Sequence, residues 1–239
     1  MPSIKKETSG ASSIWTLRNT KGNELKVTDL GARVVSMRFR DRDFKNRLML
    51  KDDATAGGVL VDGERDFANI LWKGEEIIEG LKLTAEVGGK SATVTYSLSN
   101  DNEISIKYEA TGIGEISTTM LFSAEALPDV DFRACQKGAA WEKISAEKIY
   151  PVTETAEVEM ELGMFGYDPG CPIDYLDGGL KNAANLFAES AGIELIVYAT
   201  QNEIHAQAFE GGISLWTSGS NAADGKIKAQ TVYMIKSRK

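Results

Sequence analysis

The feature of this chain that most constrains its fold is a strict alternation of apolar and polar residues between Ser91 and Gly114. The alternation is interrupted by the polar segment Ser-Asn-Asp-Asn and then resumes in the same form. Its apolar positions are Val94, Tyr96, Leu98, Ile104, Ile106 and Tyr108. Successive side chains of a β-strand point to opposite faces, and Asn and Asp tolerate the backbone angles of turns. The stretch therefore predicts a β-hairpin with one row of side chains in a core and the other in water.

Similar short segments recur along the chain, and helical periodicity is weak throughout. The strand-like segments are ELKVTD, RVVSMRF, GIELIVYAT, HAQAF, ISLWTS and KIKAQTVYMIK. The 23 glycines and five prolines suit a chain with many tight turns and bulges. We therefore expect an all-β protein, either a sandwich or a barrel. No linker divides the chain, so we expect one domain over residues 13–239 after a flexible N-terminus, residues 1–12.

Charge and hydropathy exclude some partners. The 239-residue chain has a formal net charge of −8, so it repels phosphate backbones and nucleic acid is not an expected partner. It has no run of about 18 apolar residues, so no membrane span is expected. The N-terminal segment lacks an apolar signal region, which favours a cytoplasmic protein. Cys135 and Cys171 are then expected to be reduced, with a disulfide between them as the alternative. The sequence does not indicate an oligomeric state.

Common catalytic and cofactor motifs are missing from the sequence. One histidine, His205, and two distant cysteines are too few ligands for a zinc site. The G-x-S-x-G motif of serine hydrolases is absent. GSNAADGKI has one spacer residue too many for a phosphate-binding loop, and Ile227 stands where Ser or Thr would hold magnesium. DPGCPIDYLDGG lacks the alternating oxygen ligands of an EF-hand. We therefore expect no metal and no cofactor.

Three longer segments are similar to parts of a known family. They are WTLRNTKGNELKVTDLGARVVSMRFRDRDFKNRLMLKDD, ATVTYSLSNDNEISIKYEA and GIELIVYATQNEIHAQ. They resemble, in that order, the N-terminal strands, the central hairpin and a late strand of the aldose 1-epimerase, or galactose mutarotase-like, family. The central hairpin is the most specific match, and the resemblance weakens between about Ala54 and Leu83. The resemblance implies a large antiparallel β-sandwich with a sugar-binding groove on one concave sheet.

The resemblance also implies a reaction, the interconversion of the α and β anomers of a free sugar. In that family a glutamate takes the proton from the anomeric hydroxyl and a histidine protonates the ring oxygen, which is general acid–base catalysis. In this chain Phe122, in STTMLFSAEAL, stands at the position of the histidine. Trp216, in GGISLWTS, stands at the position of the glutamate. The usual acid–base pair is therefore missing, and a shift of the alignment cannot restore the family's histidines because the chain has a single histidine.

The matched segments leave six candidate site residues. The aromatic residues Phe122, Trp216 and Trp72 are candidates to stack on the apolar face of a sugar. Asn69, in GERDFANILW, and Asp168, in YDPGCPIDYL, match polar positions of the family and are candidates to bind hydroxyl groups. Asp168 and His205 are also the candidate substitutes for the missing base and acid. Each residue has a structural alternative, because aromatic residues on strands are often core residues, Asp before Pro often starts a turn, and a histidine after a polar turn is commonly a surface residue.

Three functions remain open at this point. The first is a small-molecule sugar-binding protein with little or no mutarotase activity. The second is an atypical aldose 1-epimerase, or a related sugar isomerase, with a relocated acid and base. The third is a structural or partner-binding β-sandwich without a sugar site.

Overall fold

The computed structural model describes residues 3–41, 43–51, 58–63, 65–78, 80–135, 139–152, 179–219 and 225–238. In these ranges the chain forms nineteen strands and two short 3-10 helices, Phe67–Asn69 and Glu189–Ala191. The strands are β1 (Ser3–Ser9), β2 (Ser12–Arg18), β3 (Glu24–Thr28), β4 (Arg33–Arg40), β5 (Asn46–Leu48), β6 (Val59–Val61), β7 (Lys73–Ile77), β8 (Gly80–Val87), β9 (Lys90–Leu98), β10 (Glu103–Thr111), β11 (Ile116–Thr118), β12 (Met120–Ser123), β13 (Asp131–Ala134), β14 (Lys148–Pro151), β15 (Lys181–Ala188), β16 (Ile193–Ala199), β17 (Glu203–Phe209), β18 (Gly212–Ser218) and β19 (Lys226–Ser237). The all-β prediction is confirmed.

The described strands assemble into four sheets in which the paired strands run antiparallel. The largest sheet has eight strands in the order β13-β15-β16-β19-β10-β9-β8-β7. A five-stranded sheet has the order β1-β2-β3-β4-β5, a four-stranded sheet has the order β12-β18-β17-β14, and β6 pairs with β11. The C-terminal strand β19 lies between β16 and β10, so it joins the two halves of the eight-stranded sheet.

One face of the eight-stranded sheet forms the core. The six apolar residues of the β9–β10 hairpin are each at most 3% exposed, as their alternation predicted. On this face Ile106 pairs with Tyr96 on one side and with Thr231 on the other. The Tyr96 hydroxyl donates to the Ala32 carbonyl, next to the five-stranded sheet, over 2.6 Å. Thr231 and Thr217 of the four-stranded sheet share a hydrogen bond of 2.7 Å. Both smaller sheets therefore pack on the same face, which makes the fold a sandwich.

The polar turn between β9 and β10 is joined to the turn between β2 and β3. Asn102 has a left-handed backbone with φ of 67°, which Asn adopts more readily than most residues. Its Oδ1 accepts hydrogen bonds from the side-chain amides of Asn19, at 3.2 Å, and of Asn23. The Asn19 amide also donates to the Ser99 carbonyl over 2.9 Å. These amides connect the two layers of the sandwich at this end.

The N-terminal segment differs from the flexible one predicted for residues 1–12. Ser3–Ser9 forms β1 and pairs with β2 along its length. The Lys6 ammonium lies 4.8 Å from the centre of the Trp15 ring, and Ile4 packs against the core. The segment has few apolar residues because an edge strand commonly carries charged side chains that discourage pairing with other chains. That residues 13–239 form one domain remains a prediction.

Two further predictions concern the membrane and the thiols. Among the described residues, no helix has the length and hydropathy needed to cross a membrane. Cys135 is buried directly after β13, and its thiol donates to Oδ1 of Asn182 over 2.8 Å. Cys171 lies outside the described residues, so the reduced state of both cysteines remains a prediction.

Candidate functional site

The β17–β18 hairpin presents two very different rows of side chains. Its inward row includes Ile204, Ala206 and Leu215, each 0% exposed. Thr217 belongs to this row, since it bonds to β19 of the eight-stranded sheet. Because side chains alternate along a strand, the neighbours of these residues point away from the core. This outward row includes Glu203, His205, Gln207, Ser214, Trp216 and Ser218.

His205 is the centre of the outward row. It pairs with Trp216 across the hairpin, and the two rings stack with centroids 4.7 Å apart and an interplanar angle of 18°. The histidine is 9% exposed, whereas the tryptophan is half-buried. The stack fixes the plane of the imidazole and covers one face of the indole, so any ligand of Trp216 meets its remaining exposed part.

Polar groups approach both nitrogens of the imidazole. Nε2 lies 2.7 Å from Oγ of Ser218 and 3.7 Å from Oε2 of Glu203. The Ser218 hydroxyl donates to the same Glu203 oxygen over 3.2 Å. On the other side, Nδ1 is buried without a hydrogen-bond partner among the described residues, and Oε1 of Glu147 lies 3.5 Å from it. With Nε2 as the donor to Oγ of Ser218, the Ser218 hydroxyl can in turn donate to Glu203.

The two carboxylates that flank His205 are accessible to a ligand. The side chains of Glu147 and Glu203 are each 48% exposed. Ser218 is only 5% exposed, so its hydroxyl positions the imidazole and is poorly placed to meet a substrate. The arrangement offers a histidine that can exchange a proton, two acceptors for hydroxyl or ammonium groups, and the partly exposed edge of an indole.

Phe122 does not join this face. It is 0% exposed and packs against Tyr233 with ring centroids 5.8 Å apart. Its neighbours Leu121 and Ser123 are half-buried and point the other way. Sugar stacking by Phe122, as expected from the sequence, is therefore corrected to a role in the core.

Trp72 and Asn69 lie in a different part of the molecule, beside the five-stranded sheet. Trp72 is 3% exposed, and its indole Nε1 donates to the Phe67 carbonyl over 2.8 Å. The backbone amide of Trp72 bonds to the Asp29 carbonyl over 2.9 Å. Trp72 is thus a core residue, and its predicted sugar contact is corrected in the same way. Asn69 ends a short 3-10 helix and is exposed, so its sugar contact remains a prediction.

Asp168 lies outside the described residues, and its predicted roles as a sugar ligand and substitute base remain predictions. The described residues contain no group of three or more His, Cys, Asp or Glu side chains that could hold a metal ion. Sequence reasoning missed Ser218 and Glu147 as partners of His205. Ser218 follows Trp216 by two positions on the same strand, so strand periodicity could have indicated it. Glu147 precedes β14 and has no such signal.

Known proteins resemble this chain in structure, whereas sequence comparison finds no match. No protein-family model and no curated protein sequence matches the chain. Among solved structures, a GalM/aldose epimerase homologue from C. elegans superimposes with a TM-score of 0.67 at 10% identity, covering 100% of both chains. Galactose 1-epimerase from Lactobacillus acidophilus gives 0.61 at 14% identity, covering 100% of this chain and 99% of that one. A galactose mutarotase-like protein from Clostridium acetobutylicum gives 0.61 at 9% identity and 98% of each chain.

The chain has the galactose mutarotase-like fold. The superpositions cover 99–100% of each chain, which supports this assignment, and the antiparallel sandwich predicted from the sequence is confirmed. Identities of 9–14% show the fold alone, so the activity of this chain has to be argued from its own residues.

Proposed function

We propose that the chain binds a monosaccharide, or the sugar end of a larger molecule, on the outward face of the β17–β18 hairpin, with little or no mutarotase activity. The observation that carries the proposal is the group formed by Trp216, His205, Glu147 and Glu203 on that face. Two of the structures with the same fold are described as a galactose 1-epimerase and an aldose epimerase homologue. These descriptions are the reason for proposing a sugar as the ligand.

The chemistry of the outward face suits a sugar. A pyranose has apolar C–H faces, which pack against an aromatic ring, and hydroxyl groups, which donate to carboxylates. Trp216 supplies a partly exposed indole whose position is fixed by the His205 stack. The half-exposed carboxylates of Glu147 and Glu203 supply the acceptors. Because this face is also open to water, the expected affinity is weak, with Kd of about 1 mM or more.

Weak catalysis follows from the same geometry. Ring opening requires an acid at the ring oxygen and a base at the anomeric hydroxyl, each within hydrogen-bond reach of the sugar. His205 Nε2 and the Glu203 carboxylate are 3.7 Å apart and contact one another, so a sugar ring cannot lie between them. Phe122, at the position that matches the family's histidine, is in the core. Since a positioned acid or base typically contributes 10²–10⁴-fold, anomer exchange should stay near its uncatalysed rate.

Two measurements test the proposal. Titration with glucose and galactose should quench or shift the intrinsic fluorescence, and Trp216→Phe should remove the change. Trp15 and Trp72 are buried, and the matched control is Trp141→Phe, which removes the exposed Trp141 and should keep the change. Polarimetry of freshly dissolved α-glucose and α-galactose should show the same rate with and without protein. If neither sugar perturbs the fluorescence at tens of millimolar, the proposal is wrong and the partner-binding alternative takes its place.

An atypical epimerase is the second candidate, and the observation that favours it is that His205, a group able to exchange a proton, stacks on Trp216 in the proposed sugar site. It requires robust acceleration of mutarotation in the polarimeter. That acceleration should then be lost in His205→Ala, or in Asp168→Asn if Asp168 supplies the base. Activity that survives both substitutions would exclude these residues as the acid and base.

A further inference from the structure

The charge on the outward face of the β17–β18 hairpin is unbalanced. The carboxylates of Glu147 and Glu203 approach opposite sides of one imidazole, so even a protonated His205 neutralises only one of them. In the described part of the chain, neither carboxylate forms an ion pair with a lysine or arginine. The Lys148 side chain, next in sequence to Glu147, is paired with Glu142.

Lys51 contacts the hairpin at its other end. Lys51 donates to the Glu210 carbonyl over 2.7 Å, and its ammonium lies 5.1 Å from the centre of the Phe209 ring. Both partners are at the turn between β17 and β18, whereas Glu203 begins β17 and pairs with Ser218 at the end of β18. The end that holds the His205 group is therefore anionic, in a chain whose net charge of −8 adds to the same field.

A second feature points to a ligand at this end. His205 is only 9% exposed, yet its Nδ1 has no hydrogen-bond partner among the described residues. Buried polar atoms are normally satisfied. A ligand donor that bonds to the half-exposed Glu147 carboxylate, 3.5 Å from Nδ1, would add a polar group at this edge of the imidazole.

From these observations we infer that the site selects an amino sugar, a sugar that carries an ammonium group, over its neutral analogues and rejects sugar phosphates. This inference rests on the sugar-binding function proposed above. An ammonium donates charge-assisted hydrogen bonds to carboxylates, and these are stronger than bonds from a neutral hydroxyl. A phosphate at the same place meets two carboxylates of like charge, and like-charge contacts oppose binding.

The test compares four sugars of similar shape by fluorescence titration or calorimetry at about pH 7 and low salt. Glucosamine should bind about fivefold more tightly than glucose and than N-acetylglucosamine, which has a larger C2 substituent without the charge. Glucose 6-phosphate should bind more weakly than glucose. The preference for glucosamine should shrink as salt is raised above about 0.15 M, because salt screens exposed charges.

Matched variants locate the effect. Glu147→Gln and Glu203→Gln should each reduce the preference for glucosamine, measured as the ratio of the glucose and glucosamine Kd values, because each removes one of the two carboxylate charges. Glu109 is an exposed glutamate on β10. Glu109→Gln removes the same charge away from the site and should leave the affinity for both sugars unchanged.

The outcomes separate the two proposals. If glucose binds and glucosamine binds no more tightly, or if glucose 6-phosphate binds as well as glucose, the amino-sugar inference is wrong and the sugar site stands. An equal loss of preference in Glu109→Gln would also overturn it, because net charge and not this site would be the cause. If none of the four sugars binds, both proposals fail.

Discussion

The β9–β10 and β17–β18 hairpins have the same backbone pattern and similar inward rows, yet their outward rows differ in kind. Ile106 of the first and Ile204 of the second are both 0% exposed in the same core. Outward on β10, Glu109 is exposed and Lys107 is half-buried. Outward on β17 and β18, His205 and Trp216 stack on one another and are flanked by carboxylates. The inward rows of both hairpins thus pack in the core of the sandwich. The outward row carries the candidate site in the second hairpin.

The largest expected effect tests whether the two inward rows are equivalent. Ile106→Ala and Ile204→Ala should each reduce the free energy of unfolding by about 2–5 kcal/mol, because each leaves a cavity in a closed core. Denaturant titration measures the loss. Glu109→Ala, on the outward side of β10, should stay within about 0.5 kcal/mol of the wild type. A loss below about 0.5 kcal/mol for either isoleucine would place it outside the core.

A second prediction concerns the turn that distinguishes the first hairpin. Asn102→Ala should cost about 1–3 kcal/mol, because it removes the acceptor of the Asn23 amide and one of the two acceptors of the Asn19 amide, and keeps a side chain at positive φ. Asn102→Gly should cost less, since Gly adopts this φ freely. Unfolding curves for both variants give the two contributions separately. Equal losses would show that backbone strain contributes nothing, and no loss would exclude the network.

A third prediction addresses the outward row of the second hairpin. Trp216→Ala should lower sugar affinity by about tenfold, or about 1.4 kcal/mol. It should destabilise the fold less than Ile204→Ala does, because Trp216 is half-buried and lies outside the core. Calorimetric titration and denaturation of the same preparation supply both numbers. A variant that loses most of its stability while still binding sugar would reverse the roles assigned to the two rows.

The smallest expected effect lies at the open end of the first hairpin, where Lys90 begins β9. Its ammonium bonds to Asp62 over 2.7 Å and, with the backbone amides of Glu115 and Gly114, lowers the pKa of the Asp62 carboxyl. Because the folded-state pKa is the lower one, this stabilisation is complete above the unfolded pKa of about 3.9 and is lost as pH falls through the folded value.

The stability difference between the wild type and Asp62→Asn should therefore shrink as pH falls below about 4. Both side chains are partly exposed, so the difference itself should be small. A difference that stays constant from about pH 6 to pH 2 would show that ionisation of Asp62 does not stabilise the fold.

The sequence predicted the residues of the first hairpin more completely than the site on the second, and the reason is physical. Alternation is local, so the buried row of β9–β10 was predicted residue by residue. The resemblance indicated Trp216, and His205 became a candidate as the single histidine of the chain. Glu147 was not predicted, because it reaches His205 only through the pairing of β14 with β17, across more than 50 residues of sequence.

Phe122 shows a second limit. A shift of one residue in a strand moves a side chain from one face of the sheet to the other. The family match that placed Phe122 at a catalytic position was not precise to one residue, so it did not determine which face of the sheet Phe122 occupies. In the structure Phe122 packs on Tyr233, and Leu121 and Ser123 point outward. Matching by pattern therefore located the strand and not its face.

The most direct test of the account uses the fact that His205 is the single histidine of the chain. Its imidazole C–H protons give two NMR signals that need no assignment. If a sugar binds on the outward face of β17–β18, titration with glucose or glucosamine should shift both signals saturably, with the same Kd as the Trp216 fluorescence. Signals that stay fixed while fluorescence or calorimetry reports binding would place the sugar elsewhere and contradict the central claim.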